Sequence, residues 1–355
     1  MEKKKKPKVM HVLKSSIYSG AENVVITIMK NLKDDYEFLY LATDGTIREK
    51  LEQEQIPYLL LERFSRGNLK RAIQEWKPDI VHAHDFSATV LCAMVPGRFR
   101  LISHLHYDPP WARAWNMKTF CYRMAGCRIY KILTVSKKSY QNLIFANNLE
   151  KKCMVIGNPV DIKLIRGRGE EPGSYRNYDL IFAGRFVEQK NPKRYLEIVK
   201  ELRDNGVSAA SAMLGSGELE EDCRKMIREY QLENQVDMLG FVSNPYPYIK
   251  RARLLCMTSE WEGYGLVLLE ANILGVPVLS SRTAGAEDVL GEDAPELCRN
   301  TKEFVEKIQR LMEDEEEYKK WKQQSERRVT KIMTIDDYMR SIDAIYQAGL
   351  RGRKN

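Results

Sequence analysis

Two glutamates, Glu262 and Glu270, stand eight residues apart in the stretch TSEWEGYGLVLLEANILGVPVL, Thr258 to Leu279. The first lies in a glycine-containing loop, Glu262-Gly263-Tyr264-Gly265, that follows the buried-strand pattern RLLCMTS. The second falls inside the apolar helix that follows the loop. A carboxylate within LVLLEANIL is costly to bury unless something hydrogen-bonds it, so a partner is expected at Glu270. A strand, a tight turn and a helix start also make an anion cradle, because the first N–H groups of a helix lack internal partners.

Cations that suit such an anion follow another strand pattern, DLIFAG. Gly184-Arg185-Phe186 comes first, then Lys190-Asn191-Pro192, with Pro192 fit for the first helical position. Arg185 offers phosphate a planar fork and Lys190 a compact charge. With the helix start they read as a diphosphate site; an ordinary surface Arg and Lys after a strand is the alternative reading of the pair. Gly215-Ser216-Gly217-Glu218 after AASAMLG reads first as a tight turn and second as a ligand contact, since it lacks the third glycine of a dinucleotide fingerprint. In Lys14 to Glu22, Gly20 opens a helix whose free amides could take an anion. An ordinary helix start fits that segment equally well.

All five histidines fall in the first half, at 11, 82, 84, 104 and 106. His82 and His84, like His104 and His106, share a strand face by their period-two spacing. No thiol or carboxylate completes a zinc spacing, so no metal site is expected. The imidazoles read as a polar rim, with one near a reacting hydroxyl. No Asp-x-Asp occurs, so phosphate neutralisation is expected from Arg185, Lys190 and backbone amides. The segment DPPWARAWNMKTFCYRMAGCRIYK interleaves aromatics with cations. It reads as a partly buried helix or as a membrane- or acceptor-touching surface.

These residues need scaffolds. Strand patterns KVMHVL, EFLYLA, PYLLLE, DIVHAH, RLISHLH, KILTVS and KCMVIG alternate with helical AENVVITIMKNL, IREKLEQEQ, NLKRAIQEWK and KKSYQNLIFANN. After a Gly-, Arg- and Glu-rich linker candidate, Ile165 to Tyr178, the alternation restarts. Two α/β domains with parallel sheets are expected, at residues 1–165 and 166–332, with a cleft between them. The last helix, about 333–355, is expected to pack back on the first domain. Residues 1–165 hold 27 basic against 16 acidic residues, and residues 166–355 hold 30 against 33, so the net +8 arises in the first half. That suits an anionic partner such as lipid headgroups or a phosphorylated carrier. No apolar run reaches membrane-spanning length. The basic N-terminus lacks the apolar stretch of a secretory signal, and the seven scattered cysteines suggest reduced thiols. A cytoplasmic protein, peripheral on the inner face of the membrane, is the expectation.

Taken together, the residues from Ser19-Gly20-Ala21-Glu22 to Val289 resemble glycosyltransferase family 4: retaining, nucleotide-sugar-dependent enzymes of the GT-B fold, with two facing Rossmann-like domains. Glu262 to Glu270 carries the most specific likeness. Asn158-Pro159-Val160-Asp161 resembles the family's interdomain turn. The resemblance implies that Arg185 and Lys190 hold the donor diphosphate, with Gly184 and Gly215 nearby. It places Glu270 on the ribose hydroxyls. Glu262 and the amides of Gly263, Tyr264, Gly265 and Leu266 would face sugar and phosphate. Gly20 would approach the distal phosphate, and His106 the transferred sugar. It implies a UDP-sugar donor, a glycan or lipid-linked acceptor of cell-surface polysaccharide, no metal and no cofactor. Two departures stand out: Ser19-Gly20 replaces paired glycines, and VLGEDAPELC follows Ala284-Gly285-Ala286-Glu287. A nucleotide-sugar 2-epimerase of similar architecture is the second reading. A nucleic-acid-binding module is the third, but it leaves the two glutamates unexplained.

Overall fold

Short apolar strands with helical crossovers can bury both sheet faces only when the strands run parallel. In the computed structural model, which describes residues 5–106, 110–330 and 332–352, they do so twice. Part of the basic N-terminal cluster, residues 107–109 of the aromatic–basic segment and the last three residues of the tail lie outside the described residues. The chain divides into two units, Met1–Pro159 with Ile335–Asn355, and Val160–Thr334.

The first unit holds β1 (Lys8–Val12), β2 (Glu37–Thr43), β3 (Tyr58–Leu61), β4 (Ile80–Ala83), β5 (Arg100–Leu105), β6 (Ile129–Thr134) and β7 (Cys153–Val155) in the order β3-β2-β1-β4-β5-β6-β7. Val12, Leu41, Val81, Leu101 and Ile132 face a core that Leu69, Phe86, Tyr122 and Phe145 fill from helices and loops. The opposite face is covered by the helix Ile335–Arg351. Its Tyr338, Ile342 and Tyr346 are fully buried. The Tyr346 hydroxyl bonds His82 Nδ1 at 2.8 Å, and Tyr36 donates to Asp343 Oδ1 at 2.5 Å.

The second unit holds β8 (Tyr178–Ala183), β9 (Ser211–Leu214), β10 (Val236–Gly240), β11 (Ala252–Met257), β12 (Val278–Ser281) and β13 (Leu297–Cys298) in the order β10-β9-β8-β11-β12-β13. Both sheets are parallel and reverse their winding beside their first strand, at β1/β4 and at β8/β11. Ligands of doubly wound sheets bind beyond the strand ends at such switch points.

The structure corrects several expectations. The linker candidate begins with a helix, Ile162–Gly169, although it contains two glycines. Asp161 caps it, accepting from Leu164 N at 2.8 Å, and Ile165 packs on Leu269 and Ile273. Tertiary burial overrides weak propensity here. KKSYQNLIFANN is broken into Lys137–Gln141 and Ala146–Leu149, where Ile144 N turns aside to bond Ala112 O at 3.0 Å. The two-residue β13 was too short to show any period.

Replacing Ile342 with alanine would open a cavity beneath the histidine-bearing face. The expected loss is about 2–5 kcal/mol, read as a lowered urea midpoint with an unchanged slope.

Candidate active site

The loops that follow β8 and β11 lie side by side at the second unit's switch point and are stitched together. Lys190 Nζ pairs with Glu262 Oε2, both side chains largely buried. Gln189 Nε2 donates to Trp261 O at 3.2 Å, and Glu260 N donates to Gln189 O at 2.9 Å. Thr258 Oγ1 donates to Asn191 O at 2.9 Å. Arg194 Nη2 and Asn191 Nδ2 both reach Glu260 Oε1, at 2.6 and 2.5 Å. Asn191 adopts a left-handed φ of 45° and caps the helix Pro192–Asp204, accepting from Arg194 N at 3.1 Å. Asparagine tolerates that conformation better than most residues. Arg185 is exposed on the first loop, with Nη2 3.3 Å from Gln189 Oε1, while the adjacent Phe186 is fully buried and anchors the turn.

The glycines of this region divide into two kinds. A Cβ on Gly215 would lie 1.9 Å from Gly184 O, and one on Gly217 would lie 2.4 Å from Phe186 O. Their side chains are missing because backbone meets backbone. The Gly215 amide already donates to Gly240 O at 2.8 Å and the Gly184 amide to Leu214 O at 2.9 Å. Neither amide is a spare donor for an anion. Gly265 is different. It stands at φ 69° as the N-cap of the helix Leu266–Ile273, a conformation that glycine adopts at little cost.

Glu270, in that helix, receives the Tyr246 hydroxyl on Oε1 at 3.2 Å. Tyr246 is thus the partner that the sequence demanded. Desolvation still pushes the Glu270 carboxyl up to about 7, opposed by the Tyr246 hydrogen bond and by Lys190. Below the unfolded pKa both states are protonated. As pH rises toward 7 the unfolded chain ionises while the folded one holds its proton, so stability falls through that window.

Family models match both halves of the chain: "Glycosyltransferase Family 4" over residues 18–164 and "Glycosyl transferases group 1" over residues 170–328. The chain belongs to glycosyltransferase family 4. It is a glycosyltransferase with the GT-B fold. CapH of Staphylococcus aureus, a capsular polysaccharide biosynthesis glycosyltransferase, is 26% identical over 77% of this chain and 81% of its own. The Campylobacter jejuni N-acetylgalactosamine-N,N'-diacetylbacillosaminyl-diphospho-undecaprenol 4-alpha-N-acetylgalactosaminyltransferase is 25% identical over 56% of this chain and 54% of its own. Among solved structures, Anabaena HepE in complex with UDP superposes with a TM-score of 0.82 at 18% identity, covering 96% of this chain and all of that one. These matches support neither the epimerase nor the nucleic-acid reading.

In this glycosyltransferase the remaining site candidates belong to the first unit. Gly20 is exposed at the start of the helix Gly20–Asn31. Ser19 Oγ donates to Glu22 Oε2 at 2.5 Å, so this helix start carries its own buried acid. His106 follows β5, and its Nε2 lies 2.9 Å from His84 Nδ1. Burial lowers its pKa to about 4.

Sequence reasoning missed Arg194, Glu260 and Gly285. Gly285 N donates to Glu262 O at 2.9 Å, and a Cβ there would lie 2.6 Å from Tyr264 N. The glycine in Ala284-Gly285-Ala286, just after a strand, was the available signal.

Replacing Tyr246 with phenylalanine removes the Tyr246 hydrogen bond, which favours the Glu270 anion. The Glu270 midpoint, followed by carbon-13 NMR of the labelled carboxyl, should rise further above 7; an unchanged midpoint would show that the bond is not formed in solution.

Proposed function

We propose that this enzyme transfers a sugar from a nucleoside-diphosphate sugar, a UDP-sugar first among them, to a hydroxyl of a glycan or lipid-linked acceptor, with retention at the anomeric carbon. The observation that carries the proposal is the pair of stitched loops at the β8/β11 switch point, which brings Lys190, Glu262 and Arg185 to one strand end. Arg185 and Lys190 would hold the diphosphate and stabilise the charge that grows on it as the glycosidic bond breaks. An ammonium has three donors, so the bond to Glu262 leaves capacity for phosphate oxygens. Charge-assisted hydrogen bonds of this kind are worth about 1.5–3 kcal/mol each.

Glu270 would accept from the ribose hydroxyls. They replace the water that the carboxylate lost on burial, and binding would then release a proton near neutral pH. The amides of Gly263 to Leu266 would face the phosphate and sugar beside Glu262. Gly20 and His106 would meet the distal phosphate and the transferred sugar. No metal is required on this reading, because two cations and a helix start carry the anion. UDP is favoured because HepE was solved with it, a cell-surface glycan because CapH is named for capsular polysaccharide biosynthesis, and a lipid-linked acceptor because the Campylobacter enzyme's name carries a diphospho-undecaprenol.

A peripheral place on an anionic membrane is part of the proposal. The helix Met117–Ala125 buries Thr119, Tyr122 and Ala125 against the first unit's core. It turns Met117, Phe120 and Met124 outward, 74%, 52% and 57% exposed, beside Trp115 at 57%. Arg113 and Lys118 flank them, both exposed. An apolar strip rimmed by cations suits anionic headgroups, and the basic excess of this half adds long-range attraction. Among the described residues no helix is long and apolar enough to cross a membrane.

Arg185→Ala and Lys190→Ala should each lower kcat with UDP-sugar about 100-fold or more while the melting transition stays in place, and wild-type turnover should persist in EDTA. Normal turnover in both variants would overturn the phosphate role. In flotation with vesicles containing phosphatidylglycerol, the wild type should co-migrate at low salt. A Trp115→Ser, Phe120→Ser, Met124→Ser triple variant should not; equal binding would remove this surface from the proposal.

A further inference from the structure

All five histidines of the chain gather on one face of the first unit's sheet. The His82 and His84 rings stack at 4.2 Å, and those of His104 and His106 at 4.0 Å. Three imidazoles form a hydrogen-bonded row. His11 Nδ1 lies 2.8 Å from His84 Nε2, and His84 Nδ1 lies 2.9 Å from His106 Nε2. Burial lowers the pKa of every member, to about 3 at His11 and about 4 at His106. The row is therefore neutral at pH 7.

A neutral imidazole carries one N–H and one lone pair, so the row has two proton arrangements. In one, His106 donates to His84 and His84 to His11. The leftover N–H then sits on His11 Nε2, in a residue with no exposed surface, and that nitrogen has no hydrogen-bond partner. In the other, His11 donates to His84 and His84 to His106. The leftover N–H then sits on His106 Nδ1, which has no hydrogen-bond partner in the protein either, but in a half-buried residue just past the end of β5. An unmatched donor is least costly where a ligand can meet it. The Asn158 side chain draws the His106 pKa upward against burial, and its buried Oδ1 has no hydrogen-bond partner.

We propose that His84, backed by His11, is a positioning residue that holds His106 as the Nδ1–H tautomer, so that His106 presents a neutral donor to an oxygen of the transferred sugar. The inference rests on the placing of His106 at that sugar. Neutrality matters there, because positive charge grows on the anomeric centre as the leaving phosphate departs, and an imidazolium beside it would oppose the reaction. Nitrogens of His11, His82 and His84, and of His84, His104 and His106, also come within 4.8 Å of one another. A divalent ion in either group would break the His84 hydrogen bonds and would meet no carboxylate among the ligands.

The test is nitrogen-15 NMR of the imidazoles in the full-length, ligand-free enzyme. His106 is expected to carry its proton on Nδ1 in the wild type and in His84→Asn, whose amide N–H can replace the His84 Nδ1 donor. In His84→Phe the His106 proton should redistribute to Nε2. With UDP-sugar, His84→Phe should lower kcat about tenfold at little change in KM, and His84→Asn should recover most of it. An Nε2–H tautomer in the wild type overturns the proposal without any variant or substrate. So does stoichiometric zinc in the purified enzyme whose removal shifts these signals. If the tautomer is as expected but His106→Ala turns over normally, the placing of His106 at the sugar fails instead, and with it the catalytic use of the row.

Discussion

The candidate site of the second unit depends on one contact between segments that are 72 residues apart: the pairing of Lys190 with Glu262 across the β8/β11 switch point. Parallel strands bring two loops to the same end of the sheet, but loops alone would not hold an ammonium still. Glu262 does so from one side. Gln189, Thr258, Glu260 and Arg194 fix the backbones around it. A buried charge pair is a weak source of stability, because desolvation offsets most of the attraction. Its use here is positional: it fixes where a positive charge stands before a ligand arrives, and such preorganisation is what electrostatic catalysis requires.

Glu270 follows the same logic with the opposite sign. A carboxylate drawn out of water with one tyrosine for company is held near the edge of ionisation. Hydroxyl groups arriving in pairs, as on a ribose, would supply what it lacks. The site thus alternates acids and cations. The histidine row in the first unit shows the contrast. It is neutral throughout, and its order is one of proton placement and not of charge.

Much of this was legible in the sequence because doubly wound sheets put chemistry just after strands. Arg185, Lys190 and Glu262 could be picked out by position, and Glu270 by its discord with an apolar helix. The partners were not legible. Nothing local joins Tyr246 to Glu270, Arg194 to Glu260 or Gly285 to Glu262, since each link spans distant segments with no shared period. The glycines at 215 and 217 were ambiguous in the sequence because a close approach of protein backbone and a close approach of ligand ask for the same residue. The histidine pairs showed their common face through period-two spacing, yet the order of hydrogen bonds across β1, β4 and β5 needed the register of the sheet. The helix Ile162–Gly169 escaped because its stability comes from Ile165 packing on Leu269 and Ile273 and not from its own residues.

The central claim is that the donor diphosphate binds between Arg185 and Lys190 with its ribose on Glu270. A crystal of the enzyme soaked with a UDP-sugar tests this directly. The account predicts phosphate oxygens within hydrogen-bond distance of both cations and ribose hydroxyls on the Glu270 carboxylate. A nucleotide bound elsewhere, with the Lys190–Glu262 pair untouched and Glu270 facing only Tyr246, would contradict it.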